Sequence, residues 1–248
     1  MIHDVWSAIL YRPLINALAF LVSVVPGADI GIAIILLTLL VKLALFPFSQ
    51  RSIKNQAAMT MLAPELDRIK KSGASKEEQA KLTFELYKKH KTNPFSGCLL
   101  VFIQIPILIA LYSVFIKGLN FDSGLLYSFI HVPAKINTMF LWIDLSNKSP
   151  VLGLLAGVSQ HLQARFMPTP KTTTKSTGSM GENFAQSMQM QMKYVLPFII
   201  AWIAYHVSGA VALYWITSNM FAVAQQIYVN KTEKKVLDEE VDVLIKEI

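Results

Sequence analysis

The sequence predicts an all-α polytopic membrane protein: five core transmembrane helices with a hydrophilic groove, a cytoplasmic helical hairpin and an N-terminal interfacial helix. Three observations carry this prediction. The 248 residues are 53% hydrophobic and only 16% charged, too apolar for an ordinary soluble domain. Long apolar runs recur along the chain, without the alternating segments of about ten residues that a β-barrel needs. The first run, Ile30–Phe48, reads IGIAIILLTLLVKLALFPF and holds one charge, Lys42.

Residues 1–28 place Trp6, Ile9, Leu10, Leu14, Ala17, Leu18 and Leu21 at helical spacing, with His3, Asp4, Ser7, Arg12 and Asn16 between them. This reads as an amphipathic helix lying in the membrane interface. The apolar stretch Leu14–Val25 has twelve residues, too few to span. Asp4, in place of a basic cluster, argues against a signal peptide.

The core follows over 29–228. Its first span, at about 1.5 Å per residue, reaches roughly 28 Å, enough for the bilayer interior. A lone ammonium near the centre of such a helix costs at least about 2.5 kcal/mol unless it faces water or a partner, so Lys42 is a functional candidate. The competing reading is snorkelling. Lys42 lies roughly 9 Å before Phe48 by helical rise, and a lysine stem covers most of that distance.

The loop 51–96 carries ten Lys and Arg residues against five acids. Arg51, Lys54, Arg68, Lys70, Lys71, Lys88 and Lys89 mark a charged face for solvent, lipid head groups or a ribosome. Ile53, Ala57, Met61, Leu62, Leu66 and Ile69 form an apolar stripe interrupted at Pro64. Gly73 suits a helix end. Ser75 and Glu78 form a capping box for a second helix, packed through Ala80, Leu82, Phe84, Leu86 and Tyr87 and ended by Asn93-Pro94. A helical hairpin results.

Four more spans follow, at about 97–117, 150–166, 194–208 and 210–228, the last two meeting at His206-Val207-Ser208-Gly209. Short spans favour local bilayer thinning. The loop 118–149 has only Lys135 and Lys148, which sets the basic loop 51–96 inside and the N-terminus outside. The polar loop 167–193 and the tail 229–248 then fall in the cytoplasm. The loop is flexible in composition. Met188, Met190 and Met192 follow it as interfacial packing residues. The tail carries four Lys and six acids, which speaks against specific nucleic-acid binding despite the chain's +7 charge.

Enzyme signatures are lacking: the sequence has no HExxH, Walker glycine loop, GxGxxG or GxSxG. Ser208 sits in a loop without a paired Gly-His, so an intramembrane protease is disfavoured. His161 has no second His, Cys or acid at ligand spacing, and no metal or cofactor is expected. The single cysteine, Cys98, excludes a disulfide framework, and its internal position excludes lipidation. Polar residues inside the spans are more telling. Thr38 lies one turn before Lys42, Gln104 in the second span, Ser159, Gln160 and Gln163 in the third. Trp215, Ser218, Asn219 and Gln225 or Gln226 run down the fifth. Singly, each is read as helix glue; with Lys42, together they suggest a hydrated cavity.

TLLVKLALFPFSQ (38–50), MLAPELDRIKK (61–71), ELYKKHKTNPFSGC (85–98), IQIPILIALY (103–112), FLWIDLS (140–146) and SGAVALYWITSNMFAVAQQ (208–226) resemble the YidC/Oxa/Alb family of membrane protein insertases, in family order across 30–228. The chain is similar to the short form, without the large extracytoplasmic domain. The resemblance implies five helices around a groove open to cytoplasm and lipid, nascent membrane proteins as clients, and the ribosome and Sec translocon as candidate partners. It matches Lys42 to the groove's usual arginine, Thr38, Gln163 and Trp215 to groove positions, and Tyr214 to a client-contacting aromatic. Lysine keeps the charge and loses the planar fork. Two other readings stand beside insertion. A proton- or ion-coupled transporter would use Lys42 as its coupling charge but expects inverted repeats, which are not seen. A packing scaffold would be insensitive to that charge.

Overall fold

The computed structural model describes residues 6–90, 92, 104–110, 112–114, 121, 124–133, 135–167 and 190–246, without the side chains of 70, 192 and 233–246. His3, Asp4, Asn93-Pro94, Cys98, both ends of the second span and most of the loop 167–193, Met188 included, lie outside these residues. The chain forms two compact units, Met1–Leu45, Phe102–Arg165 and Gln191–Val223 in one, Phe46–Val101, Phe166–Met190 and Ala224–Ile248 in the other.

The first unit opens on α1, Ser7–Val24, a π-helical turn over Ser7–Tyr11 running into α-helix at Arg12–Val24. Its 18 residues are long and apolar enough to cross a membrane, so the objection on length drawn from Leu14–Val25 does not hold. Helix continues through Arg12 and Asn16, which the pattern had assigned to a polar face. Asn16 is buried at 2% exposure. Its amide donates to the carbonyls of Arg12 and Leu125 and accepts from Tyr127 N–H at 2.7 Å, so every polar arm is satisfied away from water.

A turn through Gly27 and Ala28, both with positive φ, leads to α2, Ile30–Ala44. Asp29 caps it, accepting from the N–H groups of Gly31 and Ile32. Helix α6, Gln104–Val114, and helices α7, Pro150–Phe166, and α8, Leu196–His206, add further apolar surfaces. α8 continues a π-helical turn over Gln191–Val195. α9 begins at Gly209 and runs unbroken to Lys246, so the expected tail is helical in backbone. Tyr11, Leu14, Leu18, Val22, Ile30, Ile34, Leu37, Ile107, Ala156, Ala204 and Leu213 belong to one core. On α7 a Cβ at Gly157 would meet Ala201 Cβ at 2.7 Å and Pro197 O at 2.9 Å. Only glycine lets α7 and α8 approach this closely, as small residues do between membrane helices.

The predicted loop 118–149 holds a β-hairpin, β1 Met139–Phe140 and β2 Ile143–Asp144, paired Phe140↔Ile143. Phe140 lies against Gly31, where a Cβ would collide with its ring. Asn137 exchanges backbone bonds with Ala28 and Ile30, while Leu145 and Asn147 carbonyls accept from Ala210 and Gly209 N–H. The segment therefore satisfies free donors at the start of α9.

In the second unit, α3, Phe46–Met61, α4, Ala63–Lys71, and α5, Lys76–Lys89, follow in sequence. Pro64 sits in the first turn of α4, the helix position proline tolerates. Gly73 has φ +73° and Ser75 Oγ accepts from Glu78 N–H at 3.2 Å. Leu86 is buried, but Phe84 is 72% and Met61 64% exposed. Those two are surface residues, contrary to their assignment to packing faces. In a 3.6-residue period Phe84 and Leu86 point to different sides, which a roll of apolar residues hides.

By length and composition, the described residues contain one helix able to cross a membrane, or two if Ile30–Ala44 and Phe46–Met61 are counted as one span. α7 coincides with the expected span 150–166 and α9 runs past the expected end at 228, whereas α2 ends at Ala44, short of Phe48; five full spans are not established among the described residues.

Candidate functional site: a polar line through the apolar unit

Ile34, Thr38 and Lys42 recur every fourth residue of α2 and share a face. Ile34 and Thr38 are buried, while Ile32, Leu36, Leu40 and Leu43 form the exposed apolar stripe. Lys42 thus extends the inward face. Its Nζ donates to Gln104 Oε1 of α6 at 3.1 Å. The amine reaches sideways to a second helix, a different destination from the snorkelling route along its own helix. Thr38 Oγ1 donates back to Ile34 O at 2.7 Å, so its proton is committed to its own backbone.

Gln104 Nε2 donates to the Tyr214 hydroxyl of α9, and that hydroxyl also hydrogen-bonds Ser218 one turn on. Lys42, Gln104, Tyr214 and Ser218, from three helices, form one polar line. Asn219 follows directly. Its Nδ2 donates to Ser159 Oγ at 3.0 Å and Gln160 Oε1 at 3.3 Å on α7. The polar residues are thus satisfied in groups, as buried polar atoms must be.

Tyr214 is 2% exposed. The resemblance implies a client-contacting ring there; in this structure the ring packs with the core and its hydroxyl accepts from Gln104 Nε2. Trp215 is half-buried against the same core, and Gln163 is half-buried on α7. His161 Nδ1 lies 3.1 Å from Lys193 O, a packed histidine. Among the described residues no group of three or more His, Cys, Asp or Glu is placed to hold a metal. In the second unit, Arg51, Lys54, Arg68, Lys71, Lys88 and Lys89 are exposed, and the Lys70 side chain lies outside the described set.

Sequence reasoning overlooked Ser49. In the second unit its Oγ lies 2.7 Å from Gln225 Nε2, which also reaches Phe46 O at 3.3 Å. The signal was available: Gln225 is 6% exposed, and a glutamine on an apolar helix demands a partner.

The family model of the 60Kd inner membrane protein matches residues 20–236. A membrane protein insertase YidC of Oceanobacillus iheyensis is 34% identical over 236 residues, covering 92% of this chain and 84% of that protein. One from Fusobacterium nucleatum is 33% identical over 228 residues, covering 90% and 97%. Among solved structures, an active YidC insertase crystal structure with its first transmembrane domain resolved has a TM-score of 0.51 at 24% identity, over 79% of this chain and 40% of that one. At that identity the likeness speaks for the fold alone. The match along most of the chain, with relatives of similar length, decides between the readings left open by the residues: this chain belongs to the YidC family of membrane protein insertases.

Proposed function

We propose that this chain inserts client proteins into the membrane by charge capture, without nucleotide hydrolysis. The single observation that carries the reading is the Lys42–Gln104 bond, which holds an ammonium on the inward face of an apolar helix. An acidic residue in the polar flank of a nascent membrane protein competes with Gln104 Oε1 for this donor. The bond to Gln104 is already charge-assisted through its donor, but a carboxylate adds the attraction between two full charges, which a neutral amide cannot supply, so the carboxylate displaces the amide. Gln104 stays oriented by Tyr214 and takes the ammonium back when the client leaves. The driving force is transfer of the client's apolar helix into lipid, at roughly 25 cal/mol per Å² of apolar surface.

In this reading the basic stretch 51–96 and the C-terminal part of α9 face the cytoplasm and the N-terminus lies outside. The exposed cations of α3 to α5 receive the client and contact lipid phosphates, with the ribosome and Sec translocon as further partners. Trp215, Gln163, Ser218 and Asn219 line the client's path with Lys42 and Thr38. Crosslinking from probes at Trp215 and Gln163 to a stalled nascent chain tests this placement. Adducts that depend on an acidic client flank and vanish in Lys42→Glu support it; adducts indifferent to both overturn it.

A further inference from the structure

The β-hairpin Met139–Asp144 departs from what a water-exposed hairpin uses. Its pairing Phe140↔Ile143 leaves Leu141 and Trp142 as the two-residue loop. Leu141 takes φ +55° at the first loop position, where glycine is the usual residue. Leu141 is 72% and Trp142 74% exposed, with Met139 at 46%. The inward pair Phe140 and Ile143 packs on the core, so the outward residues form a separate apolar tip. The tip is also rigidly mounted. The bonds of Asn137 to Ala28 and Ile30, and of Leu145 and Asn147 to the start of α9, fix it at the N-terminal ends of two helices.

Past the polar segment 146–149, the chain after the tip returns to exposed apolar residues. β2 ends at Asp144 and α7 starts at Pro150. The outward residues of α7, Val151, Leu154 and Val158, are 52%, 66% and 49% exposed. Val151 lies in the helix's first turn. Trp at the boundary between an apolar belt and a polar segment is the residue type that membrane interfaces favour.

We infer that the Leu141–Trp142 tip is a membrane-interface anchor: it docks into the head-group and upper acyl region of the leaflet at the N-terminal ends of α2 and α9. This is the outer leaflet in the orientation proposed above. Its occupant is lipid, not a client or a second copy. By tying the hairpin to α2 through Asn137 and Phe140, the anchor sets the depth at which α2 sits.

The test uses Trp142→Cys and, as an aqueous control, Lys148→Cys, each in a Cys98→Ser background and labelled with an environment-sensitive fluorophore. Protein is reconstituted in phosphatidylcholine vesicles with plain or acyl-brominated chains. The label at 142 should lose most of its emission in brominated vesicles and resist iodide, while the label at 148 should show the reverse. Iodide quenching at 142 without a bromine effect overturns the anchor. Shielding from both quenchers means protein covers the tip and overturns it equally. If the cysteine variant does not fold, native Trp142 reports the same contrast once Trp6, Trp202 and Trp215 are replaced by Phe. The readout needs no client, so it separates from charge capture: Lys42→Glu should leave it unchanged.

Discussion

Replacing Lys42 gives the sharpest test of the polar line. A client carboxylate about 4 Å from the ammonium, at an effective dielectric near 20, gains about 4 kcal/mol before desolvation. Desolvation and side-chain ordering remove much of this, and a net of about 1.5–3 kcal/mol, the range for hydrogen bonds to charged groups, remains. That corresponds to roughly a 10- to 150-fold change in capture. Lys42→Met removes the attraction and leaves Gln104 Oε1 without its donor. Lys42→Glu reverses the sign, and Lys42→Arg preserves it. The assay is insertion into proteoliposomes of two clients that differ only by Asp→Asn in the translocated flank. The Asp client should lose insertion in the order Arg, Met, Glu, and the Asn client should respond far less. Thermal unfolding of each variant separates loss of capture from loss of fold. Equal insertion of both clients by Lys42→Glu refutes the reasoning, because no repulsive charge can sit on the client's path and go unnoticed.

Gly157→Leu should destabilise the unit by at least about 1–3 kcal/mol, since even a Cβ meets Ala201 and Pro197 backbone at under 3 Å; an unchanged melting temperature in detergent contradicts the close α7–α8 packing. Asn16→Leu should unpair Tyr127 N–H and Leu125 C=O, at about 1–3 kcal/mol, and hydrogen exchange at Tyr127 should accelerate. Asn219→Ala should cost about 0.6–1.7 kcal/mol, the range for hydrogen bonds between membrane helices, and combined with Ser159→Ala the loss should be less than the sum of the two, because they share the Asn219–Ser159 contact. Asp144 is held below the usual aspartate range first by the Ser146 N–H and then by Thr138 and Asn147 side chains. Its folded pKa is lowered, so its contribution is present above the ordinary aspartate pKa and disappears as pH falls through the lowered value; protease sensitivity at 139–147 should rise only below about pH 4, and Asp144→Asn should abolish that dependence.

Much of the chemistry was legible in the residues. A charge in an apolar run, and Gln, Ser and Asn on others, announce that something must satisfy them. Which partner each finds was not legible. Lys42 and Gln104 are 62 positions apart, and helical periodicity fixes a face without fixing the neighbour across it. Tyr214 shows the same limit: its residue type gives no sign that its hydroxyl accepts from Gln104 across the unit. Asn16 failed for the related reason that a polar residue between apolar ones was read as facing water. The hairpin 139–144 was invisible because strands of two residues carry no period.

The satisfied polar line also bears on a conflict built into the proposed charge capture. A bare ammonium within an apolar unit would destabilise the resting protein by several kcal/mol, whereas a permanent Asp or Glu partner would hold the charge too tightly for a client to displace. Gln104 lies between these extremes. Its amide oxygen is neutral, so it relieves part of the desolvation without neutralising the charge, and Tyr214 keeps that oxygen aimed at Lys42. Under the proposed mechanism, the choice of partner decides whether the site can cycle. Gln104→Glu should lock Lys42 into an internal ion pair, raising stability or leaving it unchanged while suppressing insertion of acidic clients. Gln104→Leu should release the ammonium, lower stability and leave the charge available. Opposite directions in the two assays are the signature of a placeholder acceptor; parallel losses from both substitutions mean that Gln104 only packs helices.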